Sequence, residues 1–163
     1  MTRERVMDST GLRTNSSSLV ACAFRVLLGC MFLYTGFIHA MDPQGFAVAV
    51  GNYRVLPAFL VNPFAVALPW IELAAGALLV MGVFVPGSSL LVVLMLFMFT
   101  IALAMALAKG LDISCGCFTT SREAQRISWI YLGRDLGLLA MAVYVFFFDT
   151  GFASVRSLMK PRQ

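Results

Sequence analysis

Charge is what this chain has least of. Asp, Glu, Lys and Arg make up 12% of its 163 residues, about half of the roughly 25% usual in a soluble domain. Hydrophobic residues make up 60% and the mean hydropathy is +0.88. These values exclude an ordinary soluble domain and predict an integral membrane protein. The net charge of +4 does not imply nucleic acid. Its basic residues gather at the chain ends (Arg3, Arg5, Arg13, Arg156, Lys160 and Arg162), where membrane topology would place them. Histidine is nearly missing, His39 being the only one. No internal repeat or pair of broken helices is visible, which argues against a small-solute transporter. The length allows one domain.

Four apolar stretches are near the ~20 residues that a bilayer crossing requires. They run over Leu19–Ala40, Phe64–Val85, Leu90–Ala108 and Ile127–Phe148. The expected fold is all-α, a polytopic membrane four-helix bundle spanning 19–149. A polar segment, 1–18, is expected to be a loosely ordered cytoplasmic lead-in, and 150–163 a basic cytoplasmic tail. The first span reads as an uncleaved helix, because Ile38-His39-Ala40 is a poor small-residue cleavage site. An even number of spans puts both ends on one side. The basic bias makes that side cytoplasmic, with the protein multi-pass in a bacterial inner membrane.

The first span carries a seam at heptad spacing, with Cys22, Gly29 and Gly36 in one row and Arg25, Phe32 and His39 in the next. Small residues let a neighbouring helix approach closely, so Cys22 reads as a packing residue. Cys22 and Cys30 are about 12 Å apart along a helix and cannot bridge each other. After this span, Asp42-Pro43 has the form of a helix cap followed by proline at the first helical position. Phe46, Val50 and Tyr53 follow at helical spacing up to Pro57. A short amphipathic helix is expected in this first outer loop, either covering the bundle mouth or anchoring at the lipid surface. Pro86-Gly87-Ser88-Ser89 is expected to be the turn between the second and third spans. The third span reads as apolar scaffold.

Chemistry concentrates at Ser114-Cys115-Gly116-Cys117-Phe118. Two thiols one residue apart close only into a small strained ring, which gains little from loop closure and is readily reduced. That favours a working redox pair over a structural staple. A zinc site prefers wider spacing and four ligands, so no metal is expected. A small-residue turn with incidental cysteines is the plain alternative. The predicted topology puts the pair on the periplasmic side, where disulfides persist. Thr120 and Glu123 have capping-box spacing, so a helix start with its positive end is expected near Cys117, with Arg122 adding to the field. His39 reads either as a base for the thiols or as a polar tip reaching the interface.

Charges within spans are costly unless paired and turned inward. Glu72 in the second span and Arg134 in the fourth are expected to pair, and Asp135 to reach Arg25 unless Arg25 turns to the cytoplasmic surface. The set reads either as an ion pair that fixes register or as a polar pocket, lined also by Trp70, for a head group or protons. Gly133 and Gly137 form a GxxxG pattern that predicts a packing face.

Taken in order, Gly36, Asp42-Pro43, Phe46, Tyr53, Leu56-Pro57, Leu68-Pro69-Trp70, Glu72, Gly76, Gly82, Lys109-Gly110, Cys115-Gly116-Cys117-Phe118 and Arg134-Asp135 resemble the MauE family of methylamine-utilisation membrane proteins, within the wider DoxX-like group. Two positions depart from the family's usual pattern: His39 stands where Lys is common, and Thr119 where Gly is common. The resemblance implies a four-helix membrane protein that supports maturation of a periplasmic client. For methylamine dehydrogenase that client is the disulfide-rich small subunit. A thioredoxin-like partner is implied as well. The leading expectation is therefore a membrane thiol–disulfide component acting through Cys115 and Cys117. A non-catalytic scaffold that docks the client through Phe46 and Tyr53 is one alternative. A quinone-coupled thiol oxidase, with a cavity near Glu72, Trp70 and Arg134, is the other.

Overall fold

The computed structural model describes residues 4–110 and 129–149, with 4–18 as backbone alone. Its elements are all helical: α1 (Glu4–Met41), α2 (Pro43–Asn52), α3 (Ala58–Met81), α4 (Val85–Ala108) and α5 (Trp129–Phe148). Four stretches, Leu19–Met41, Ala58–Met81, Val85–Ala108 and Trp129–Phe148, are long and apolar enough to cross a membrane. The protein is a multi-pass helical membrane bundle, and α2 is the short helix expected in the first loop. The Cys-Gly-Cys segment, the Thr120–Glu123 capping box, Arg122 and the 150–163 tail lie outside the described residues.

Helices α1 and α3 run antiparallel in close contact, and glycine makes the contact possible. A Cβ on Gly76 would lie 2.8 Å from the Gly29 carbonyl oxygen and 2.9 Å from the Leu33 nitrogen. One on Gly36 would lie 3.0 Å from both the Pro69 carbonyl oxygen and Glu72 Cβ. The Gly29–Gly36 row is thus a packing seam, as its heptad spacing predicts. The adjacent row, Arg25, Phe32 and His39, points into the bundle and is buried along its length. Between the helices, Leu28, Phe32, Ala75, Leu79, Val92, Leu96, Ala142 and Val145 form one apolar core. A second, smaller cluster joins Tyr53 to Leu103 and Ala106 at the end carrying α2.

At the opposite end Arg25 donates from Nη1 to Asp149 Oδ2 at 3.1 Å, both side chains being fully buried. Arg25 therefore neither reaches Asp135 nor extends to the surface. Asp149 directly follows the fourth span, one heptad beyond Ala142, which brings it level with Arg25 when α5 packs on α1. Cys22 accepts a long contact from Arg25 Nη2 at 3.7 Å.

Several boundaries differ from the sequence expectation. The α1 backbone continues back to Glu4 instead of becoming irregular before Leu19. No proline interrupts that stretch, and adding residues to a helix already nucleated by the span is far easier than starting one. Helix α3 starts six residues early, at Ala58 rather than Phe64, because Pro57 opens it instead of only ending what precedes. It stops at Met81, where Gly82 takes the left-handed conformation (φ 67°). The Val83 N–H then reaches Leu78 O at 3.0 Å and the Gly82 N–H reaches Leu79 O at 3.1 Å, the hydrogen bonds of a Schellman stop. Pro86-Gly87-Ser88-Ser89 is consequently not the turn but the first turn of α4. Proline suits that position, and both buried serines bond back to carbonyls of Phe84, Val85 and Pro86. Gly133 and Gly137 have nothing within 4 Å of an added Cβ, so their GxxxG face packs against no described part of the chain.

Two outcomes follow for stability in detergent micelles. Gly76→Val should lower the unfolding midpoint strongly, by an overpacking cost of about 1–3 kcal/mol or more, while Gly133→Ala should be neutral or mildly stabilising. Arg25→Met alone should cost about 3–5 kcal/mol by removing the buried guanidinium that pairs with Asp149, and adding Asp149→Leu should restore much of that loss. Thermal melts of the single and double variants check both.

Candidate functional site

Two buried polar pairs, one from each half of the bundle, stand beside a common cavity at the end carrying α2, which His39, Glu72 and Asp135 line directly. The first pair joins α1 to α3. His39 Nδ1 and Glu72 Oε2 are 3.0 Å apart, and both side chains are largely buried. The contact exists because Gly36, one turn before His39, lets α3 approach until Glu72 Cβ touches the α1 backbone. One proton is shared: either the imidazole donates to the carboxylate or the carboxyl donates to the imidazole. On its flat face His39 stacks on Phe46 of α2, with ring centroids 3.9 Å apart and planes 15° from parallel.

The second pair joins α4 to α5. The single hydroxyl hydrogen of Thr100 is shared between two acceptors, Asp135 Oδ2 across the interface and Leu96 O of its own helix, 2.8 Å away. Asp135 is 2% exposed, so this partner is what makes its burial tolerable. Beside it the Arg134 guanidinium lies over the Tyr131 ring, 5.3 Å from the centroid. Tyr53, just past α2, is buried near Asp135 and Arg134 and edges onto Phe99, 5.9 Å between centroids.

Between the pairs lies a partly open cavity of about 250 Å³. His39, Glu72, Tyr53, Arg134 and Asp135 supply the ionisable groups in its wall, and the rest is almost wholly apolar. Helix α2 closes one side. Asp42 Oδ1 caps it by accepting from the Gly45 N–H at 2.9 Å, with Pro43 in its first turn. Once started, the helix turns Phe46 and Ala49 inward and packs Gly51 against Val61 of α3. Of the two roles open to it from sequence, it takes the covering one.

The structure thus brings His39, Glu72, Arg134 and Asp135 to one cavity, with different pairings from those expected. Glu72 meets His39 and not Arg134, because the glycine seam joins α3 to α1. Asp135 meets Thr100 and not Arg25, which is occupied at the far end. Trp70 is 65% exposed and faces away from the cavity, since Pro69 and Glu72, on either side of it, occupy the buried face of α3. His39 is 4% exposed and held by Glu72, so it is not an interfacial tip. Nothing in the charge pattern of the sequence points to Thr100. The one sign of it is a hydroxyl residue standing alone in the long apolar run of α4. Among the described residues no three His, Cys, Asp or Glu side chains stand close enough to hold a metal ion.

Tyr53, outside the spans, generates a pH prediction. Burial first, then Asp135, push its phenol well above the ordinary 10.0, while Arg134 pulls weakly the other way. A raised pKa in the fold means that the neutral phenol is favoured there. Its stabilisation is complete below the unfolded value of about 10 and is lost as pH rises through the folded value. Thermal stability should therefore fall as pH is taken above about 10. Tyr53→Phe should flatten that slope, and Tyr34→Phe, at a 56% exposed residue, should not.

A family model described as "Methylamine utilisation protein MauE" matches residues 17–148, which include every residue of the cavity wall. Curated relatives share that name. One from Methylophilus methylotrophus is 38% identical over 101 residues, 61% of this chain and 53% of that protein. One from Methylorubrum extorquens is 39% identical over 100 residues, again 61% and 53%. A third, from Paracoccus denitrificans, is 30% identical over 128 residues, 78% and 68%. The match spans about half the length of the first two. No solved structure matches the chain. With the family model covering all four membrane helices, the chain belongs to the MauE family of methylamine utilisation proteins.

Proposed function

We propose that this protein is a membrane thiol–disulfide component of methylamine utilisation. Cys115 and Cys117 exchange electrons with a periplasmic client undergoing maturation, or with a thioredoxin-like partner of that client. The termini face the cytoplasm of a bacterial inner membrane and the Cys-Gly-Cys segment faces the periplasm. The observation that carries this reading is one of connectivity. Helix α4 ends at Ala108 and α5 begins at Trp129, and both ends lie beside Tyr53, where Leu103, Ala106, Tyr131 and Leu132 pack. The segment bearing the two thiols therefore leaves and rejoins the bundle at the end that holds α2 and the cavity. Cys115 is five residues beyond Gly110, within about 18 Å of it along the chain.

The scaffold alternative relies on Phe46 and Tyr53 as docking residues. Each is only 6% exposed, committed to the cavity wall, which weighs against that use.

Thiol trapping on intact cells tests the proposal. In a Cys22→Ser, Cys30→Ala background an impermeant maleimide should label Cys115 and Cys117 only after prior reduction. Cys115→Ser and Cys117→Ser should each abolish client oxidation. Unimpaired client oxidation in both variants would overturn the thiol–disulfide role. Failure to label in either redox state, with a permeant reagent still labelling, would overturn the orientation.

A further inference from the structure

The cavity has chemistry that the thiol reading does not use. Its wall is almost wholly apolar, yet ionisable groups stand on two sides of it: His39 with Glu72 from α1 and α3, and Asp135 with Arg134 from α5. Buried ionisable groups within membrane spans are costly, and two separate sets around one apolar space suggest a ligand with polar atoms at two separated positions. At about 250 Å³ the space falls just below the roughly 300–1,000 Å³ of sites that enclose a whole drug-sized ligand. It suits a single substituted ring and leaves any long chain outside, among the lipid tails.

These constraints select among membrane-soluble molecules. A phospholipid head group carries a full charge and bulk that an apolar wall of this size does not accommodate. An acyl chain has no use for the ionisable groups, and a sterol offers one polar atom for two polar sides. A quinone ring is flat and apolar in body, and it carries two oxygens at opposite positions that accept hydrogen bonds when oxidised and donate them when reduced. Phe46 and Phe99, both in the wall, offer flat apolar surface to such a ring.

We propose that the cavity binds the head of a membrane quinone, with one ring oxygen at His39–Glu72 and the other at Arg134–Asp135. This deepens the function proposed above and rests on it for the source of electrons. The thiols of Cys115 and Cys117 together lose two electrons and two protons as one S–S bond forms. The quinone takes up two electrons and two protons, and its two carbonyls become the hydroxyls of a quinol. His39, Glu72 and Asp135 are the groups at the cavity able to hand on those protons. Helix α2 covers one side of the cavity through Phe46, Ala49 and Val50.

The test is a titration of the full-length protein in lipid nanodiscs with decylubiquinone, counting bound quinone against empty nanodiscs. Saturable binding above the empty control is expected, and it should persist in the Cys115→Ser, Cys117→Ser double variant. Glu72→Gln should weaken binding about tenfold, the scale of one hydrogen bond to a charged group. Ala102→Phe should abolish binding by filling the space. Val50→Trp does the same from α2, outside the bundle core, and covers the case in which Ala102→Phe does not fold. No saturable binding, or binding undiminished in the folded cavity-filling variants, overturns the site. A parallel measurement follows the thiols. Thiol loss on adding quinone to the reduced protein, abolished by Val50→Trp, supports the coupled step. Thiols that persist although quinone binds would leave the site standing and overturn its coupling to the thiols. Thiols oxidised equally well in Val50→Trp would keep the thiol role and overturn the cavity as the route.

Discussion

The contact between His39 and Glu72 depends on the absence of a side chain. With Gly36 and Gly29 on one helix and Gly76 on the other, α1 and α3 approach until backbone touches backbone. At that separation the Glu72 carboxylate reaches the His39 imidazole directly across the interface. Neither group would tolerate the bilayer interior alone, and their pairing makes both affordable there. The rest of the cavity end follows from it. His39, held by Glu72, presents a flat ring on which Phe46 stacks, and that stack seats α2 across the bundle.

The bundle is tied by polar contacts at different levels, and each is made between a different pair of helices. Arg25 and Asp149 hold α1 to α5 at one end, and His39 and Glu72 hold α1 to α3 towards the other. Thr100 and Asp135 hold α4 to α5. Apolar packing in a membrane has no hydrophobic driving force between helices, so contacts of this kind choose neighbours and register. Arg25 and His39 stand in the same heptad row of α1. One helix face thus sets the level of α5 at one end and of α3 at the other.

Near the cavity the polar groups are placed differently. The Arg25–Asp149 pair is fully buried and borders no part of the cavity. Here both members of the α1–α3 pair border a space, and so do Arg134 and Asp135. The cavity lies at the bundle end from which the thiol-bearing segment springs.

Much of this was legible in the residues themselves. Scarce charge and four long apolar runs determine a membrane bundle, since runs of about 20 apolar residues satisfy their own backbone in the bilayer as helices. The Gly29–Gly36 row, the Asp42-Pro43 start of α2, and Glu72, Arg134 and Asp135 as intramembrane polar groups could be picked out because spacing and cost are local properties, whereas His39 reads from sequence as a thiol base or an interfacial tip and not as a member of that set. Partners could not. Glu72 looks equally suited to Arg134 by charge and depth, and the tertiary structure chooses His39 because helix order around the bundle decides which faces meet. Trp70 adjoins Pro69 and stands two places from Glu72 in sequence but faces away from both, which a rotation of 100° per residue decides once one face is buried. Thr100 carries no charge to draw attention, and its role exists only because α5 places a carboxylate beside it. Sequence determines which groups must be satisfied within the membrane; the packing of helices, through the distance that glycine permits, decides which of them satisfy one another.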